Sequence, residues 1–210
     1  NIASDFVSKR DNDNVAVVAF AGESLTMMPL TSDQNAVIGA LKSLQPGALG
    51  ENTAVGDGLV TSLNRLVEGK AESKSVILLT DGANNAGEVD PLAAAQVAKE
   101  KGIRVYTIAV GQDQVYNVGS YFDPYATISA PVDTETLQKI SETTGGKFFR
   151  AVDKSTLQNV FREIDRLQKS VISTRTYTHT SEHFMPWVIV ALAAFLLEML
   201  MRYTVLRRIP

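Results

Sequence analysis

Asp81 is the residue whose type and position most clearly promise chemistry, because it follows the apolar run Ser75-Val76-Ile77-Leu78-Leu79-Thr80 and precedes Gly82. A strand apolar on both faces is expected inside a sheet. Its carboxylate then emerges at the C-terminal edge, where open α/β folds bind ligands. A second polar signal is Thr53, in the stretch Gly50-Glu51-Asn52-Thr53-Ala54-Val55-Gly56-Asp57-Gly58 ahead of the helical spacing of Leu59, Leu63 and Leu66. A hydroxyl at a loop-to-helix junction can cap the helix or give its oxygen to a hard cation, and both readings stand for Thr53. For Asp81 the structural alternative is a turn-forming Asx motif. Asp57 is a weaker metal candidate that could instead order the Thr53 loop.

Other chemistries find less support. His179 and His183 are four apart, but they sit in a threonine-rich stretch with no third ligand for zinc. Gly56-Asp57-Gly58 lacks the lysine of a phosphate loop, and no Gly-x-Gly-x-x-Gly or Gly-x-Ser-x-Gly occurs, so nucleotide binding and serine-hydrolase chemistry are disfavoured. The absence of cysteine excludes thiolate sites and disulfides, and a net charge of -3 over 210 residues gives no reason to expect nucleic acid. With 45% hydrophobic and 20% charged residues the composition is that of a globular chain.

The elements that must position these residues alternate. Residues 1–10 read as a helix with Ile2, Phe6 and Val7 on one side. After the turn cluster 11–14 come a strand at 15–20 and a returning strand at 24–30, placed at an edge by Pro29. Asp33 starts a helix with Val37, Ile38, Leu41 and Leu44 on its apolar face. The Thr53 helix runs to Val67, Asp90-Pro91 opens another that ends at Gly102, and 103–110 is a buried strand. Residues 112–131 break the rhythm and read as a long loop. Its Tyr116, Tyr121, Phe122 and Tyr125 serve equally as a partner-binding surface or as packing onto the domain. A helix at 133–144, a strand at 146–152 and a helix at 154–169 with Leu157, Val160, Phe161, Ile164 and Leu167 in a stripe complete the globular part. Strand, helix, strand with long apolar strands predicts an α/β fold: a doubly wound, mostly parallel sheet with helices on both faces.

From Phe184 an uncharged run through Leu197 continues past Glu198 to Met201 and is followed by Arg202, Arg207 and Arg208. The length is short but sufficient for a transmembrane helix, with Trp187 at headgroup level. The positive-inside rule puts the C-terminus in the cytoplasm and the globular part outside it.

The Thr53–Gly58 segment and the run 79–87, Leu-Thr-Asp-Gly-Ala-Asn-Asn-Ala-Gly, resemble the second and third segments of the metal-ion-dependent adhesion site of von Willebrand factor A domains. With Val17-Val18-Ala19-Phe20-Ala21-Gly22-Glu23-Ser24 and the membrane tail, nearly the whole chain resembles the BatA branch of the Bacteroides aerotolerance proteins. The family's first segment, Asp-x-Ser-x-Ser, does not occur before Val15. The chain therefore reads as beginning after the first strand, with the central strand and main ligand set outside it.

The resemblance implies that Thr53 coordinates Mg2+ or another divalent cation directly or through water, that Asp81 does so through water, and that useful affinity needs the missing ligands. It also implies binding without bond breaking, with sister von Willebrand A membrane proteins and a MoxR-type AAA+ ATPase as partners in a bacterial inner-membrane complex. The organisation expected is 1–170 as the A-like domain, 171–183 as a juxtamembrane connector, 184–203 as the span and 204–210 as a basic cytoplasmic tail. The competing reading is a metal-dependent hydrolase using Asp81, which needs a nucleophile or general base that the sequence does not display.

Overall fold

The computed structural model describes residues 2–10, 12–69, 71, 73–111, 114–117, 127–130, 133–173 and 185–204. In chain order the elements are α1 (Ile2–Val7), β1 (Val15–Phe20), β2 (Ser24–Thr31), α2 (Gln34–Ser43), α3 (Val55–Val67), β3 (Ser75–Thr80), α4 (Pro91–Glu100), β4 (Arg104–Val110), β5 (Gln114–Asn117), β6 (Thr127–Ala130), α5 (Thr134–Thr144), β7 (Phe148–Ala151), α6 (Lys154–Ser173) and α7 (Met185–Thr204). The chain divides into two compact units, 1–172 and 173–210.

In the first unit β3, β4 and β7 form a parallel sheet in that order, Ser75 to Thr80 running beside Arg104 to Ala109 and Thr107 to Val110 beside Phe148 to Ala151. Helices cover both faces. On one side Leu59 and Leu63 of α3, Ala94 and Ala98 of α4, and Leu137 and Ile140 of α5 bury against Leu78 and Val105. On the other, Val160, Phe161 and Ile164 of α6 pack with Tyr106 and Ile108, joined by Ile2 and Phe6 of α1. This is the doubly wound arrangement expected, with the predicted stripe of α6 facing the sheet.

The helix starts follow from local chemistry. The carboxylates of Asp33, Asp90 and Asp133 accept the N–H groups of Ala36, Ala93 and Thr136 at 3.1, 2.9 and 3.0 Å, satisfying donors that a first turn leaves open. Behind α5, the buried Thr144 hydroxyl accepts the Val105 N–H at 3.1 Å. It thereby supplies the acceptor that β7, which starts only at Phe148, cannot reach.

Three expectations change. Among the described residues β3 is an edge strand, with alternating rather than continuous burial, while β4 is buried from Val105 to Ala109. Apolar content on both faces records covering helices but not a neighbour on each side. β1 and β2 form a separate antiparallel pair, and part of the expected 112–131 loop is a second antiparallel pair, Gln114–Asn117 against Thr127–Ala130.

In the second unit, α7 carries exposed Trp187, Ile189, Phe195 and Leu197. Among the described residues no helix is long and apolar enough to cross a membrane.

Candidate ion-binding rim

Thr80 ends β3 and shapes the turn after it. Its buried hydroxyl accepts the Gly82 N–H at 3.2 Å and donates to the Gly82 carbonyl at 3.1 Å, folding the chain so that Asp81 is exposed at the sheet's C-terminal edge. The turn expected of Asp81 is thus made by its neighbour.

Residues 81–90 then run without regular structure and are held by α3 and the loop before it. The Asn85 side-chain oxygen accepts the Thr53 N–H at 2.7 Å, and the N–H groups of Asn85 and Ala86 donate to the Thr53 carbonyl at 3.0 and 3.2 Å. Asn84 caps α3 from a distance, accepting the Val55 N–H at 2.8 Å, because the N-cap residue Ala54 has no side chain able to do so. Asp57, in the first turn of α3, accepts the N–H groups of Glu88 at 3.2 Å and Val89 at 2.9 Å. The Ala54 N–H donates to the Ala21 carbonyl at 2.6 Å, tying the same loop to the end of β1.

Two glycines allow this closeness. A methyl group at Gly56 would collide with the Val89 carbonyl, and one at Gly87, where φ is +94°, would meet the Asp57 carboxylate at 2.9 Å. Both positions need a bare backbone.

The structure therefore brings the Thr53 and Asp81 loops together. A methyl group added at Gly82, next to Asp81, would lie 2.9 Å from the Thr53 hydroxyl oxygen. Among the described residues neither the Thr53 hydroxyl nor the Asp81 carboxylate has a hydrogen-bond or ion-pair partner. The helix-cap alternative for Thr53 is not adopted. Asp57 is engaged with loop amides and orders the rim. Tyr116 lies in β5, whereas Tyr121, Phe122, Tyr125, His179 and His183 lie outside the described residues.

Asn84 and Asn85 are the residues that sequence reasoning left without a role. Their only signal was a pair of amides after a Thr-Asp-Gly turn, and their partners lie 29 and 32 positions away.

As donors, a free hydroxyl and a free carboxylate suit a hard cation in kind. They fall short in number, since magnesium takes about six oxygens, several of them from water. Among the described residues no group of three or more His, Cys, Asp or Glu side chains could hold a metal.

A parallel sheet wrapped by helices, with loops from two elements meeting at its C-terminal edge, defines a Rossmann-like α/β binding domain. The chain belongs to the von Willebrand factor type A domain family, whose pattern matches residues 1–163. It is 34% identical over 168 residues to a UPF0353 protein of Mycolicibacterium paratuberculosis, an alignment covering 73% of this chain and 48% of that one. The chain spans about half the length of the curated relatives it matches.

Among solved structures, BatB from Bacteroides thetaiotaomicron superposes with a TM-score of 0.66 at 25% identity, covering 80% of this chain and 85% of that one. An aerotolerance-related membrane protein from Bacteroides fragilis gives a TM-score of 0.64 at 25% identity, covering 79% and 85%. The relationship thus extends to aerotolerance proteins, BatB included.

Proposed function

We propose that this chain is a binding domain of a BatA-like, membrane-associated scaffold, in which a divalent cation at the rim joins the protein to a partner's carboxylate. The observation that carries this reading is the close approach of the Thr53 hydroxyl to Gly82, next to Asp81 at the sheet edge, with neither the Thr53 hydroxyl nor the Asp81 carboxylate partnered among the described residues. Thr53 and Asp81 would hold the ion, Mg2+ or another divalent cation, with further oxygens from outside the described residues and from water. The ion's contribution is an open coordination position that an acidic side chain fills.

The function is binding without catalysis. A hydrolase would need a nucleophile or general base beside Asp81, and the other carboxylate that orders the rim, Asp57, is already engaged, accepting the N–H groups of Glu88 and Val89. The partners proposed are sister von Willebrand A membrane proteins and, through the basic tail 204–210, a MoxR-type AAA+ ATPase. The proposed placement is the bacterial inner membrane, with the globular unit outside the cytoplasm. Support comes from a structural relative described as a membrane protein and from the apolar surface of α7.

The test is co-purification from membranes with magnesium or with chelator, for wild type and for Thr53→Ala combined with Asp81→Ala. Loss of the partner on chelation and in the double variant is expected. Equal recovery in all four samples would sink the metal-mediated contact.

A further inference from the structure

From Trp187 to Met201 every residue of α7 is apolar except Glu198, and Arg202 follows one turn later. A carboxylate on an apolar helix is costly in a membrane unless a cation or a hydrogen-bond donor meets it. Glu198 and Arg202 are four apart in the order that suits an ion pair within one helix. No such pair forms, and among the described residues neither side chain has an ion-pair or hydrogen-bond partner. Helical spacing puts both on one side of α7, in line with Ala191, while Ile189, Leu196 and Leu200 lie on the opposite side. Between Trp187 and Glu198, with Phe195 at the flank, Ala191 and Ala194 leave room for a second helix to approach.

We infer that this side of α7 seats α7 of a second copy, parallel to the first, with Glu198 of each chain paired to Arg202 of the other. The inference rests on the membrane placement proposed above and not on the ion site. The charges choose the occupant. Both copies enter the membrane in the same sense, since the same C-terminal arginines orient each. In a parallel pair related by a two-fold axis, like residues lie level with one another. Arg202 of one chain is then about 6 Å along the axis from Glu198 of the other, and helical side chains lean toward the N-terminus, which brings the guanidinium back toward that carboxylate.

A surface carrying an acid and a base one turn apart is thus its own complement. Lipid covers the apolar residues equally well but leaves Glu198 uncompensated, because an anionic headgroup can pair with Arg202 alone.

The experiment is disulfide cross-linking of the 210-residue chain in detergent micelles. The chain has no cysteine, so one introduced residue reports by itself. Under mild oxidation Ala191→Cys should give a covalent dimer, and Leu200→Cys, on the opposite side, should stay monomeric. In the Ala191→Cys background, Glu198→Arg and Arg202→Glu each bring like charges together and should lower the dimer yield about tenfold or more. Mixed in equal amounts, these two variants should recover the yield of the unaltered pair, because each supplies the charge that the other lacks.

Emission from Trp187, the only tryptophan, is measured in every sample. A shift to shorter wavelength places α7 in the micelle, and an Ala191→Cys chain that stays monomeric under that condition overturns the pairing while leaving the membrane placement intact. An unshifted emission overturns the placement, and the pairing with it. Equal yields at positions 191 and 200, yields indifferent to both charge reversals, or no recovery on mixing would also overturn the inference.

Discussion

At the scale of single residues, the rim depends on side chains that never touch an ion. Asp57 receives two backbone N–H groups, and hydrogen bonds to a charged acceptor contribute about 1.5–3 kcal/mol each before relaxation. Asp57→Ala is therefore expected to lower stability by about 2 kcal/mol, read by urea unfolding. Gly87→Ala attacks the same contact from the other side, forcing a methyl group against that carboxylate. The two changes share one interaction, so their combined cost should fall below the sum of the separate costs, and full additivity would mean that they act on different structure. Asn84→Ala removes the cap of α3 and should cost about 1 kcal/mol. None of this was legible locally. Asp81 and Thr53 stand out because each sits at an element boundary, whereas the worth of Asn84, Asn85 and Asp57 lies in partners about thirty positions away.

At the scale of elements, what repeats along the chain was readable and what depends on neighbours was not. Asp33, Asp90 and Asp133 mark helix starts because a cap acts within three residues, and the α6 stripe shows its buried face through spacing alone. The edge position of β3 and the pairing of β5 with β6 depend on which strands lie alongside, and hydrophobic pattern does not encode that. The junction of α5 with β4 offers a direct measurement. Thr144→Val keeps the shape but leaves the buried Val105 N–H without an acceptor, so stability should fall by about 1–3 kcal/mol. The start of α6 responds to pH. The Thr156 N–H and hydroxyl, with the Ser155 hydroxyl, hold the Asp153 carboxyl below its ordinary value of 3.8. A depressed carboxyl stabilises the fold above its unfolded value and loses that contribution as pH falls through the folded one. Asp153→Asn should thus unfold at a lower temperature than wild type near neutrality, with the gap closing in strong acid. A gap that widens in acid would show that Asp153 is not held in its charged form.

At the scale of the whole molecule, the two units pose different problems. The three buried clusters of the first unit draw on residues from Ile2 to Leu167, with no contribution from 173–210 among the described residues. Ending the chain at 172 should therefore leave the unfolding temperature of that unit unchanged. The second unit has the opposite character, since α7 exposes apolar side chains around its circumference, and such a surface in water must be covered by lipid or by protein. Trp187, the only tryptophan in the chain, is 76% exposed on this helix and reports on its surroundings. Mixed with vesicles containing anionic lipid, the full chain should float with them and its emission should shift to shorter wavelength, while the chain ending at 172 stays in the aqueous fraction. The arginines near the C-terminus predict that neutral vesicles capture less protein than anionic ones, because basic residues beside a membrane surface gain about 1 kcal/mol each from anionic lipid. Capture that is insensitive to lipid charge would leave burial of the apolar helix as the sole driving force. An unshifted emission with the protein left in solution would remove lipid altogether and require a protein surface to cover α7.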